Sequence, residues 1–237
     1  MAAEAFGQFG TSRDGDSMLQ RELLRLRRRL VTEASYAIAM LESSLTALWT
    51  GNHEQAADVR RQEDRVDEEE VAIEQECLRL MTLRQPFAHD FRVLTFCLKV
   101  NEDVERVADH ASSIAKITRR LENSSDIPWP TALRDMGDRV PAMCHNLLRA
   151  VLNEDVDAAR MLISGDKVID DLDRKLFEEV REWIERDVSA VQHALLAYRI
   201  GRELERVGDL MANIAEDVVY LATGVIVRHS KRRDPAS

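Results

Sequence analysis

From Leu23 onward, apolar residues return at every third or fourth position. Leu23, Leu26, Leu30, Ala34, Ala37, Ile38, Leu41, Leu45 and Leu48 form one stripe, the spacing of a single face of an α-helix. The stripe stops at Thr50-Gly51-Asn52, where glycine can take the left-handed conformation that closes a helix. This predicts a helix of about thirty residues starting near Ser17. A second stripe, Val59, Val66, Ile73, Cys77, Leu80 and Leu83, begins near His53 and ends at Gln85, because Pro86 disfavours the helical conformation before it.

A third helix is expected over residues 88–121. Residues 122–130 (Glu-Asn-Ser-Ser-Asp-Ile-Pro-Trp-Pro) read as a linker, being polar and twice interrupted by proline. The pattern then restarts. A fourth helix is expected over residues 131–152, kinked or broken at Pro141, and a fifth over 155–187, loosened at Ser164-Gly165. A sixth spans 188–223 and is closed by Gly224. Residues 1–16 lack periodicity and are expected to be disordered, and residues 228–237 form a basic tail. Long helices with short connections pack antiparallel. The expected fold is therefore all-α, a tandem repeat of two antiparallel three-helix bundles built from six long helices, over residues 17–121 and 131–227.

Composition agrees with that reading: 9 glycines, 5 prolines and 5% aromatics in 237 residues suit helices rather than sheets. A formal net charge of −10 argues against a general nucleic-acid binder, whose phosphate contacts need a basic footprint. Basic residues do cluster at residues 21–29 and 229–233, either as a solvated face and tail or as a docking patch for an acidic partner or anionic lipid. Cys77, Cys97 and Cys144 lie on apolar stripes without a CxxC spacing and read as buried small hydrophobes of a reducing compartment. The first residues do not resemble a signal peptide, and no stretch approaches the roughly 18–20 apolar residues of a membrane span. A cytoplasmic location is expected.

The chemistry lies in a repeat. Lys-Val-Asn-Glu-Asp-Val-Glu-Arg-Val-Ala-Asp at 99–109 is echoed by Arg-Ile-Gly-Arg-Glu-Leu-Glu-Arg-Val-Gly-Asp at 199–209. Each copy sets two carboxylates at i and i+4, Glu105 with Asp109 and Glu205 with Asp209, on one helical face. An acidic chain contains many such pairs by chance. Here a whole face repeats, because Arg106, Val107, Ile114 and Ala115 also recur at 206, 207, 214 and 215. A further set precedes them: Glu63 and Asp67 on the second helix answer to Asp166 and Asp170 on the fifth, with Glu70 and Asp173 also aligned.

In each half, two adjacent helices can thus bring four carboxylates together, and such a group calls for a cation. Oxygen-only ligands suit Mg²⁺, Ca²⁺, Mn²⁺ or iron and disfavour a structural zinc site of Cys and His. Asn101 and Asn213 could add neutral oxygens, and His110 could add a ligand to the first site. The plain alternative pairs these carboxylates with Arg106, Arg206 or other arginines on a wet surface. An enzyme fits less well: none of the six histidines follows a Glu by three positions, as di-iron bundles require, and no phosphate-cradling glycine loop or nucleophile elbow is present.

Glu-Arg-Val-Ala-Asp-His at 105–110, Glu-Arg-Val-Gly-Asp-Leu at 205–210 followed by Asn213-Ile214-Ala215-Glu216, and Leu83-Arg84-Gln85-Pro86 before the third helix together resemble the PhoU family of bacterial accessory and regulatory proteins of phosphate-specific transport. The resemblance implies a pair of three-helix bundles whose acidic motifs bind iron, magnesium, manganese or zinc. By position the metal ligands are Glu63, Asp67, Glu105 and Asp109 in the first half and Asp166, Asp170, Glu205 and Asp209 in the second. It further implies a homodimeric adaptor, not an enzyme, that joins the phosphate ABC transporter's ATPase subunit to a sensor histidine kinase and holds the phosphate-starvation response off. Nucleic acid is not a partner, and the membrane is met only through those proteins. Arg84, Gln85 and Pro86 are expected to be architectural. Two departures stand out: Ala108 replaces the glycine usual in the first motif, and Arg186-Asp187-Val188 stands where the first half has Gln85-Pro86-Phe87. The other readings are a metal-dependent catalyst or metal-storage bundle, and a metal-free structural adaptor.

Overall fold

The computed structural model describes residues 13–121 and 124–227, with the side chains of residues 13–17, 124 and 166 outside that description. Its helices are α1 (Arg13–Thr50), α2 (His53–Arg84), α3 (Ala88–Thr118), α4 (Thr131–Asn153), α5 (Val156–Arg186) and α6 (Val191–Thr223), and no strand occurs among the described residues. Single 3₁₀ turns, Ser124–Asp126 and Val188–Ala190, precede α4 and α6.

Local chemistry sets the helix ends. The Asn52 side chain accepts from the backbone N–H of Gln55 at 3.0 Å, and Asp155 accepts from those of Asp157 and Ala158 at 3.1 and 3.0 Å, filling donors that a helix start leaves open. At the far end of α6, Gly224 takes φ 74° and donates to the Tyr220 carbonyl at 2.8 Å. The α2–α3 turn is held differently. Gln85 is left-handed at φ 47° despite carrying a side chain. Beside it Arg84 Nε donates to Glu22 Oε2, and Arg79 Nη2 to Glu22 Oε1, each at 3.0 Å. The turn is thereby clamped to α1, the architectural role expected of Arg84.

Several boundaries depart from the periodic reading. α1 starts at Arg13, inside the segment expected to be disordered; with no proline in the way, an established helix extends at little cost per residue. Residues 1–12 and 228–237 lie outside the described residues. α4 runs through Pro141 without a break, giving up one backbone donor, and α5 is continuous across Ser164-Gly165. The segment between the bundles is not a solvated linker. Ile127 and Trp129 are buried in it, and Trp129 meets Trp49 of α1 edge to face, with ring centroids 6.0 Å apart.

α1, α2 and α3 form one bundle and α4, α5 and α6 the other; α3 also packs on α6, and α1 on α4. One hydrophobic core therefore runs through both bundles. α3 and α6 are antiparallel, as their ties show: Arg92 to the Leu221 carbonyl at 3.1 Å, Lys99 to Asp217 at 3.3 Å and His110 to Glu203 at 2.8 Å. Gly201 lets α6 approach α5, since a Cβ there would collide with the buried Leu176 side chain. Cys77, Cys97 and Cys144 are free and buried, and burial pushes each thiol up to about 12, so all three pack as inert hydrophobes.

Candidate metal centre

Across α2 and α3, Asp109 feels both Glu63 and Asp67, and Glu105 feels Asp67 and Asp109. Asn101 pins the two helices beside them: its buried Nδ2 donates to the Glu70 backbone carbonyl at 2.8 Å, leaving its Oδ1 without a hydrogen-bond partner. Ser112 Oγ donates to Glu63 Oε2 at 2.5 Å. Asn101 thus holds α3 on α2 by its amide N–H while the oxygen expected of it as a neutral donor is left over, and Asn213 is exposed on α6.

Like charges crowd here. Burial raises Glu105 to about 7, reinforced by Asp109, Asp67 and Glu70. Burial also raises Asp109, with Glu63 and Asp67 adding to it, and Asp67, with Glu63 and Asp64 adding to it. Glu70 is raised in the same way, by burial and then by Glu74, Glu102 and Asp67. Arg106 opposes the rise at Glu105 and His110 the rise at Asp109, but burial and the like charges prevail.

The second half gathers more tightly. Asp170 on α5 and Glu205 and Asp209 on α6 each offer a carboxylate oxygen within 4.8 Å of the others, which no other group of three such residues does among the described residues. Asp166 belongs to α5 one turn earlier, and its side chain lies outside the described residues. Burial raises Asp209, helped by Glu205 and Asp170 and opposed by Arg202.

The arginines named in the wet-surface alternative turn away. Arg106 pairs with Glu102 and Asp103, and Arg206 lies 3.7 Å from Glu203. One of the other arginines takes that place: Arg202 Nη1 lies 3.0 Å from Glu205 Oε1 and 3.2 Å from Asp173 Oδ2. The signal was present in the repeat, because Arg202 falls where the first half has Glu102. His110, next to Asp109, turns its Nδ1 to Glu203 Oε2 at 2.8 Å.

A family model described as the PhoU domain matches residues 30–118 and again 133–218. The chain belongs to the PhoU family. It is 34% identical over 175 residues to the phosphate-specific transport system accessory protein PhoU homolog of Deinococcus radiodurans, covering 73% of this chain and 82% of that one. Its fold matches the crystal structure of the phosphate transport system regulatory protein PhoU from Streptococcus pneumoniae, with TM-score 0.82 and 27% identity, over 88% of this chain and 99% of that one. PhoU from Pseudomonas aeruginosa matches equally, with TM-score 0.82 and 29% identity, over 87% and 99%. These PhoU relatives are named as accessory or regulatory proteins of phosphate transport, not as enzymes.

Against that background the donor set of this PhoU chain fits a hard cation. It consists of oxygens alone, and one of them, Glu205 Oε2, is buried with no hydrogen-bond partner, as is Oδ1 of the adjoining Asp173. The residues that would hold the ion are Glu63, Asp67, Glu105 and Asp109 in one half and Asp166, Asp170, Glu205 and Asp209 in the other.

Proposed function

We propose that the protein is a cytoplasmic, metal-loaded adaptor that restrains phosphate uptake and the phosphate-starvation response by coupling the phosphate ABC transporter's ATPase subunit to a sensor histidine kinase. Membership of the PhoU family supports the phosphate-transport side of this reading. The observation that carries the metal is the convergence of Asp170, Glu205 and Asp209. No helix among the described residues is long and apolar enough to cross a membrane, which accords with an adaptor that reaches the membrane through partners.

A bound cation supplies the positive charge that the carboxylates lack. The two pairs in each half sit on neighbouring helices, so the ion also ties α2 to α3 and α5 to α6. Loaded, these faces turn from acidic toward neutral or positive and accept a partner's carboxylates or phosphates. Emptied, they repel the same groups, and docking follows ion occupancy. The homodimer, iron, magnesium, manganese or zinc as the ion, and both protein partners belong to the proposal.

The test is metal content of protein purified without chelator, with binding to the ATPase subunit measured on the same sample. Asp109→Ala combined with Asp209→Ala should lower both. Unchanged metal content and unchanged binding in that double variant would refute the reading. One feature favours the metal-free alternative at the second constellation alone, namely the guanidinium of Arg202 already bonded to two of its carboxylates.

A further inference from the structure

The offset of one hundred that sets Glu105 on Glu205 and Asp109 on Asp209 also sets Glu102 on Arg202. Within the echoed stretch 99–109 and 199–209 the other charged positions agree in sign. Arg106 and Arg206 occupy equivalent places and both reach outward, to Asp103 and Glu203. Within that stretch the two copies therefore differ in sign only at this position, by two units of charge, in the first turn of each acidic motif.

The two side chains behave differently. Glu102 is exposed and turns to Arg106 on its own helix. Arg202 bridges α5 and α6 by bonding Asp173 and Glu205. Each of those two carboxylates keeps one oxygen buried and unbonded. A guanidinium is a fixed positive charge that donates but never accepts, so it neutralises a carboxylate without completing a coordination shell.

We propose that Arg202 is a built-in counter-ion that takes the place of one metal ion, so that the second constellation holds fewer divalent cations than the first. This rests on the metal-binding reading above. Arg202 engages Asp173 and Glu205, leaving Asp170, Asp209 and the free oxygen of Glu205 as the principal described donors of the second constellation. In the first constellation, with Glu63, Asp67, Glu70, Glu105 and Asp109, the equivalent residue is Glu102, which pairs with Arg106 on its own helix and bridges nothing among the described residues.

Each constellation is counted separately with Mn²⁺, by calorimetric titration and by elemental analysis after desalting. Glu105→Gln with Asp109→Asn isolates the second, and Glu205→Gln with Asp209→Asn isolates the first. The isolated first constellation should bind at least one more Mn²⁺ per chain than the isolated second. Arg202→Glu should raise the second to the count of the first, and Glu102→Arg should lower the first by one. Because Arg202 also ties two helices, thermal melting accompanies each titration; if Arg202→Glu does not fold, Glu102→Arg at an exposed position decides the matter. Equal counts in the two isolated constellations, or a count for the first that Glu102→Arg leaves unchanged, overturns the role of Arg202 while leaving metal binding intact. No Mn²⁺ above a chelated control in any variant overturns the metal reading and this proposal with it.

Discussion

His110 Nδ1 lies 2.8 Å from Glu203 Oε2 and joins α3 of one bundle to α6 of the other. Glu203 is 7% exposed, and its next nearest cation, Arg206, stands at 3.7 Å. Removing the imidazole leaves a buried carboxylate short of its partner. His110→Ala should lower stability by about 1–3 kcal/mol in urea denaturation. His110→Ala with Glu203→Gln should cost less than the two single variants summed, because they remove one shared interaction.

Acid should loosen the same tie. Burial alone would raise Glu203, but the hydrogen bond and charge of His110, with Arg206 and Arg199, hold its carboxyl below the ordinary value of 4.5. A lowered folded value means that the tie contributes fully above 4.5 and is lost as pH falls through the folded value. Wild type should therefore lose stability in that acid range more steeply than Glu203→Gln, as read from melting temperature against pH.

Glu105 has the opposite sign. Burial and its acidic neighbours raise it from 4.5 to about 7, so the metal-free protein binds this proton more tightly folded than unfolded. Its stabilising effect is complete below 4.5 and disappears as pH rises through about 7. In chelator, melting temperature should fall across that window, and Glu105→Gln should flatten the fall. A melting temperature that rises between those two pH values in wild type but not in Glu105→Gln would sink the assignment.

Two glycines should respond oppositely to alanine. At Gly201 the added methyl meets Leu176, itself fully buried, with Leu133 close behind, and about 1–3 kcal/mol should be lost. At Gly165, in the middle of α5, a methyl meets nothing within 4 Å, and roughly 0.5–1 kcal/mol should be gained from helix propensity. Chemical denaturation of both variants checks the pair.

Trp129 anchors the connection between the bundles against Trp49. Trp129→Ala should cost about 3–5 kcal/mol, the usual loss for a buried large aromatic. Tryptophan fluorescence during unfolding reports it directly.

Much of this was legible along the chain. Thr50-Gly51-Asn52, Gln85-Pro86 and Gly224 end helices where the periodicity says they should, because capping is chemistry between residues a few positions apart. The failures were also local in origin. Pro141 signals a break by its missing N–H, but neighbouring turns and a buried face hold α4 together. Trp129 sits among prolines and polar residues that read as linker, and only its contact with α1, across the intervening helices, shows that it belongs to the core.

The sequence by itself determined the six helices, their duplication and the pairing of Glu105 with Asp109 and Glu205 with Asp209, because residues at i and i+4 must share a helical face. Tertiary structure decided what those faces meet. Whether an arginine points at carboxylates or away from them depends on how helices cross in space. Arg202 reaches Asp173 over 29 residues, and His110 reaches Glu203 over 93, distances along the chain that no local period encodes.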